Sequence, residues 1–316
     1  MFPKMVWFKK FNKKRDGSKM KKSVTFLALI VLIQAPKEIN AQCLDGSDDK
    51  STSTQSASLS LFQKIIDLVK NDRLSFSPLQ EKRVEAVVSL FENSVLSPVY
   101  DYIEDINDGR GYTAGKIGFT TGTGDLLLVV EEYLKLNPNP DPEWRKLLSN
   151  LQEKSDHLSG STKGLESLPA LWKKTCADPL FITAQNNITN SLYKNPAKDR
   201  MKEFGLKSAL GYLIFYDTMV QHGDDAPQVF ENTDPDGFSG ILRRMKNKPT
   251  NEKEFVKSFL ESRREVLLNA SGEETRAAWR ESVTRVDALL NLVEKDAWTL
   301  EGDVSVRLWN SDFKLP

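Results

Sequence analysis

The chain is poor in the side chains that bind metals or build nucleophilic triads. It has two cysteines, Cys43 and Cys176, and two histidines, His157 and His222, in 316 residues. These four lie far apart without ligand spacing, which excludes a zinc site, and no cofactor is expected. Neither histidine is accompanied by a serine or cysteine nucleophile motif, which removes hydrolases of that kind. Two cysteines permit one bridge without requiring it, so a Cys43–Cys176 pairing stays open. Long hydrophobic runs are also scarce. The apolar run from Val24 to Ile33 falls well short of the roughly 20 residues that span a bilayer. There is no internal repeat and no lysine-tagged phosphate loop.

Net charge is zero only as a sum. Residues 1–42 contain ten of the 44 basic residues and two of the 44 acidic ones, leaving 34 against 42 and a net charge of −8 from residue 43 onward. An acidic body makes nucleic acid an unexpected partner and a cationic one an expected partner, bound more weakly at high salt.

The basic head, residues 1–41, reads as a signal or targeting segment. In "MKKSVTFLALIVLIQAPKEINAQ" a lysine pair precedes an apolar run and then small residues, the pattern of a secretory signal peptide. Initiation at Met20 would give it an ordinary length; an uncleaved anchor is the weaker alternative. Residues 42–74 begin with the serine-rich "GSDDKSTSTQSASLS", a linker composition, followed by "LFQKIIDLVKN", a short amphipathic helix. Residues 75–316 read as one continuous, mostly helical body.

Its first helix is well marked. Ser77 is the N-cap, Pro78 the first helical residue and Gln80 the partner in a capping box. Val84, Val87, Val88 and Phe91 recur at helical spacing on one buried stripe. Glu92 falls on the border of that stripe in the last turn, before Asn93 and Ser94 end the helix. The negative helix end and partial burial both disfavour a charged carboxylate, which suits a general acid. A solvated glutamate at a frayed helix end is the plainer reading of the same position.

Next comes "NDGRGYTAGKIGFTTGTGD", Asn107 to Asp125, with six of the chain's seventeen glycines. Aromatic and β-branched residues from Tyr100 to Phe119 alternate with these glycines, which predicts a small antiparallel sheet with a turn at Asp108-Gly109. A buried helix capped by Thr123 or Asp125 follows. Asp108 and Asp125 are here a turn residue and a cap, or functional carboxylates on a loop.

The helix end "FENS", "YIEDINDGRGYTAGKIGFTTGTGD", "YDTMVQHGDD" and "WRESVTRVD" resemble glycoside hydrolase family 46, the endo-acting chitosanases, in order from about Ser77 to the C-terminus. The resemblance implies a mainly α, α+β, lysozyme-like fold: two lobes joined by a long helix, a substrate cleft between them and a small antiparallel sheet beside it. It implies Glu92 as general acid, Asp108 as general base and Thr113 as the residue that helps hold the attacking water. Arg110 would support substrate and carboxylate, and Asp125 would bind a glucosamine amino group. The family inverts the anomeric centre, which places its carboxyl groups about 6.5–9.5 Å apart. Chitosan is the implied partner, with a secreted monomer, no metal and no stable membrane insertion.

A second group of residues stands behind these. Asp217 lies in the very apolar "SALGYLIFYDTMVQHG", where an unpaired carboxylate is costly. Arg263 shares a helix face with Val256, Phe259, Leu260 and Leu267, and Arg285 with Ser282 and Leu289. An Asp217–Arg263–Arg285 cluster is therefore expected, and the family resemblance implies such a network behind the acid. An ordinary structural ion-pair network is the plainer reading. "TDPDG" lacks the later glutamate of a calcium loop and reads as a turn. His222, ahead of Gly223, suits a helix C-terminus. Asn187 and Asn269 open glycosylation sequons, meaningful only in a eukaryotic source. The alternative function is a lysozyme-like hydrolase of another amino-sugar polymer such as peptidoglycan; a non-catalytic carbohydrate-binding protein is disfavoured by the presence of both Glu92 and Asp108.

Overall fold

The computed structural model describes residues 74–224, 235–271 and 276–316. The signal-like head, the serine-rich linker, its short helix, Cys43 and the first two residues of "TDPDG" lie outside the described residues; Pro235 and Asp236 form a turn.

Helix α1, Pro78–Asn93, begins as its sequence dictates. Ser77 Oγ accepts from the Gln80 N–H at 3.2 Å and Gln80 Oε1 accepts from the Ser77 N–H at 2.9 Å. It ends where Ser94 turns left-handed, with φ 61°. The buried face is wider than the valine stripe: Arg83, Ala86, Ser89 and Leu90 are also buried. Arg83 uses that burial to donate to the carbonyls of Leu300 and Pro316, tying the C-terminus to α1.

The glycine-punctuated segment forms a three-stranded antiparallel sheet in the order β1 (Ile103–Asp105), β2 (Tyr112–Ala114), β3 (Phe119–Thr120). Thr113 pairs with Glu104 on one side and Thr120 on the other. The glycines permit close packing at two places. Gly111 has φ +76°, and a Cβ there would stand 2.2 Å from Thr121 Oγ1; at Gly160 a Cβ would stand 2.1 Å from the Gly109 carbonyl oxygen.

Helix α2, Asp125–Leu136, starts one residue later than a Thr123 cap would place it and excludes Asp125 as cap. Its N-cap is Gly124 at φ 88°, a value that favours glycine, and no side chain caps it. Helices α3 (Pro142–Asp156) and α4 (Leu168–Thr175) follow. Then α5 (Pro179–Thr189), a π turn (Asn190–Lys194) and α6 (Asn195–Glu203) run on as one helix, about 37 Å long at about 1.5 Å per residue. Pro196 explains the interruption: it has no N–H for the preceding turn and its ring crowds the carbonyl there, so the helix widens ahead of it.

The rest is α7 (Ala209–His222), α8 (Phe238–Arg244), α9 (Glu252–Leu268), α10 (Arg276–Glu281), α11 (Val283–Glu294) and a terminal hairpin, β4 (Ser305–Leu308) with β5 (Ser311–Lys314). The sequence reading had only the sheet near Asp108; this second one escaped it. The long helix packs on α2 at its start and on α7 at its end. Each end has its own aromatic core: Tyr133, Trp144 and Trp172 gather around Phe181, and Phe238 and Phe259 around Phe215. The expected mainly helical architecture, small sheet and long connecting helix are all present. Helix α7 is buried along its whole length, which leaves Asp217 fully enclosed.

Candidate active site

Glu92 projects from the last turn of α1 with its side chain 10% exposed. Its Oε1 accepts from Arg285 Nη2 at 2.9 Å, and Oε2 has no hydrogen-bond partner among the described residues. The same Nη2 donates to the Phe91 carbonyl at 2.9 Å, and Arg285 Nη1 donates to Asp217 Oδ1 at 3.1 Å. Arg263 Nη1 lies 2.6 Å from Asp217 Oδ2. The expected triad is thus assembled, with Arg285 passing it on to Glu92. The paired charges leave the group neutral when Glu92 is ionised, so no charge is stranded in the interior.

Behind the triad stand two residues the sequence reading did not connect to it. Arg263 donates to Gln221 Oε1 through Nη2, and through Nε to His222 Nε2 at 3.1 Å. A guanidinium has no acceptor, so His222 Nε2 must be bare. The proton sits on Nδ1, which donates to the Asp236 carbonyl at 2.8 Å. Burial, followed by the charge of Arg263, holds this imidazole well below the ordinary histidine range. His222 does end its helix before Gly223, as expected, but as a neutral ring. The helix end favours the charged ring, but burial and an arginine at hydrogen-bond distance outweigh it.

On the sheet side, Asp108 is closed over by its own loop. Oδ1 accepts from the Arg110 N–H at 3.0 Å, and Oδ2 accepts from Arg110 Nε at 2.7 Å and from Nη2. Arg110 thus acts on the carboxylate from backbone and side chain together, and Asp108 has no exposed side-chain surface. Thr113 is 8% exposed, and its buried Oγ1 has no hydrogen-bond partner among the described residues. A buried hydroxyl left open is costly, so such a group calls for a water or ligand.

Asp125, 9% exposed, is bound on both oxygens. Oδ1 accepts from the Thr120 N–H at 2.7 Å, Thr123 Oγ1 at 2.8 Å and the Leu126 N–H at 3.0 Å; Oδ2 accepts from Tyr193 Oη at 3.0 Å. Tyr193 belongs to the π turn, a type of distortion that recurs at functional sites. Burial first, then Asp125 and Glu92, push its phenol well above the ordinary range, while Arg110 opposes them. Glu92 from α1, Arg110 from the sheet loop and Asp125 from α2 therefore act on one side chain. Sequence reasoning missed Tyr193, because only the Pro196-induced widening singles out its turn.

Cys176 is a free thiol whose Sγ lies 3.2 Å from the Tyr100 carbonyl; burial pushes its pKa up to about 12. The Asn187 amide is already engaged with Glu132 Oε1 at 2.8 Å, within α5. Among the described residues there is no group of histidine, cysteine and carboxylate side chains fit to hold a metal, and no helix long and apolar enough to cross a membrane.

The family model of Glycosyl hydrolase family 46 matches residues 86–304. A chitosanase of Bacillus subtilis is 38% identical over 235 residues, covering 72% of this chain and 82% of the relative. A chitosanase of a Streptomyces species is 32% identical, covering 72% and 81%. Among solved structures, native chitosanase from Bacillus subtilis MY002 superposes with a TM-score of 0.69 at 36% identity, over 77% of this chain and all of that one. The family 46 chitosanase of Gynuella sunshinyii, solved in complex with chitotetraose, gives 0.68 at 31% identity over 77% and 99%.

Proposed function

The chain belongs to glycosyl hydrolase family 46, and on that premise we propose that it hydrolyses the β-1,4 bonds of chitosan within the polymer, with inversion at the anomeric carbon. The observation that carries this reading is the contrast between the two carboxylates. Glu92 keeps one oxygen without a partner among the described residues, whereas both oxygens of Asp108 are held by a guanidinium and a backbone N–H.

That contrast supports a division of labour. Glu92 gives its proton to the glycosidic oxygen as the bond from that oxygen to the anomeric carbon breaks. Arg285 then faces the carboxylate left behind at hydrogen-bond distance, where it stabilises the new charge. A water attacks the opposite face of the sugar and loses its proton to Asp108, whose carboxylate Arg110 holds in place from backbone and side chain. The unpartnered hydroxyl of Thr113 would orient that water. Asp125 would meet a glucosamine amine, a reading that needs its present partners to share the carboxylate. The acidic body suits a polycation, and the signal-like head suits export to an extracellular polymer. A monomer suffices for this chemistry. Peptidoglycan is not favoured, since the relatives and structures named above are all chitosanases.

The test is proton NMR of products released from chitosan, with viscosity followed alongside. The α-anomer should appear first, and viscosity should fall well before reducing ends accumulate. Glu92→Gln and Asp108→Asn should each abolish both signals. An initial β-anomer would refute inversion, and hydrolysis surviving Glu92→Gln would refute the acid assignment.

A further inference from the structure

Lys116, three residues after Thr113, occupies the turn between β2 and β3 and is 4% exposed. Its Nζ lies 2.8 Å from Glu85 Oε2 and donates to Asn186 Oδ1 at 3.0 Å. Its N–H donates to Gln185 Oε1 at 3.3 Å, and its carbonyl accepts from Asn93 Nδ2 at 3.0 Å. Glu85 and Asn93 belong to α1; Gln185 and Asn186 belong to α5. One residue thus fastens the sheet to the acid helix at two points and to the long helix at two more. The other oxygen of Glu85 lies 2.5 Å from Lys194 Nζ, which extends the grip to the π turn.

Stability alone does not account for burying these charges. A buried ion pair is usually replaceable by apolar side chains at little loss, and its best-attested use is to set register. The register here matters to chemistry. Glu85 precedes Glu92 by seven residues, so both lie on one face of α1, about 10 Å apart along the axis. Asn93 adjoins Glu92 directly. Thr113 and the Asp108 loop ride on the sheet that Lys116 anchors.

We infer that Lys116 is a positioning residue for hydrolysis: by holding Glu85 and Asn93 together, it sets how the sheet carrying Thr113 and Asp108 stands relative to Glu92. This rests on the chitosan-hydrolysing function proposed above. Misplacement of catalytic groups by about 1 Å costs on the order of 100-fold in rate, whereas substrate affinity is spread over many contacts.

The experiment compares wild type, Lys116→Met and the double variant Glu85→Gln/Lys116→Met, measuring kcat and KM on chitosan together with Tm. Lys116→Met should lower kcat by about 10-fold or more, with KM within about twofold, and should lower Tm. The double variant leaves no carboxylate facing the lost lysine, and Lys194 keeps Glu81 Oε2 at 3.3 Å, so Tm should recover much of the loss while kcat stays low. Should Lys116→Met fail to fold, the double variant alone decides. Recovery of kcat together with Tm, or wild-type kcat in Lys116→Met, overturns the positioning role. Wild-type protein inert on chitosan would overturn the functional reading and this role with it; active wild type with unaffected variants would overturn this role alone.

Discussion

Arg285 joins two carboxylates that are 125 residues apart in sequence: Nη2 donates to Glu92 at 2.9 Å while Nη1 donates to Asp217 at 3.1 Å. The general acid proposed here is thereby coupled to a fully enclosed ion-pair group. Its orientation is inherited from the core and not from the helix end on which it sits.

Asp217→Ala should therefore damage both stability and rate. It leaves Arg263 buried without its carboxylate partner and Arg285 paired with Glu92 alone. Breaking a buried pair in this way costs about 3–5 kcal/mol, measurable by denaturant unfolding, and activity on chitosan should fall as Arg285 reorients. Unchanged stability and unchanged activity in this variant would refute the network.

Thr113 gives opposite signs for stability and rate. Thr113→Val keeps the side-chain shape and removes a buried hydroxyl that has no partner among the described residues. Stability should hold or rise by about 1 kcal/mol, while kcat should fall by about 100-fold if that hydroxyl orients the attacking water. Thr113→Ser should retain most of the rate. A Thr113→Val enzyme as fast as wild type would exclude the water-holding role.

His222 predicts a pH dependence of stability. In the unfolded chain a histidine takes up a proton below about pH 6.5, whereas the buried ring stays neutral to a much lower pH. The unfolded state then binds more protons, so stability is lost as pH falls from about 6.5, by up to about 1.4 kcal/mol per pH unit from this one group. Unfolding titrations at several pH values should show a shallower acid slope in His222→Gln than in wild type. Equal slopes would mean that His222 does not set it.

Much of this was legible from local signals. The capping box of α1 lies within three residues, Asp108-Gly109 is a turn dipeptide, and arginines on apolar helix faces need buried acids. Such patterns act over a turn or a hairpin, and the structure keeps them: Ser77 and Gln80 cap each other, and Arg263 and Arg285 both find Asp217. The resemblance of "FENS" and "DGRGYT" to a known family added the candidate roles.

What remained hidden needs contacts between distant segments. Nothing local to Lys116 says that its partners are Glu85 and Asn186, nor does the sequence around His222 place Arg263 on its ring. Thr123 and Asp125 both looked like caps, yet Gly124 took the position because the backbone there is left-handed and both side chains had other partners. By itself the sequence determined the first helix and the glycine-punctuated sheet, though not the terminal hairpin, and which polar residues could not be left alone in the interior, since periodicity and desolvation are properties of single elements. Only the tertiary structure decided which charge meets which, because an ion pair or a hydrogen bond requires atoms about 3 Å apart, a distance set by how whole helices pack.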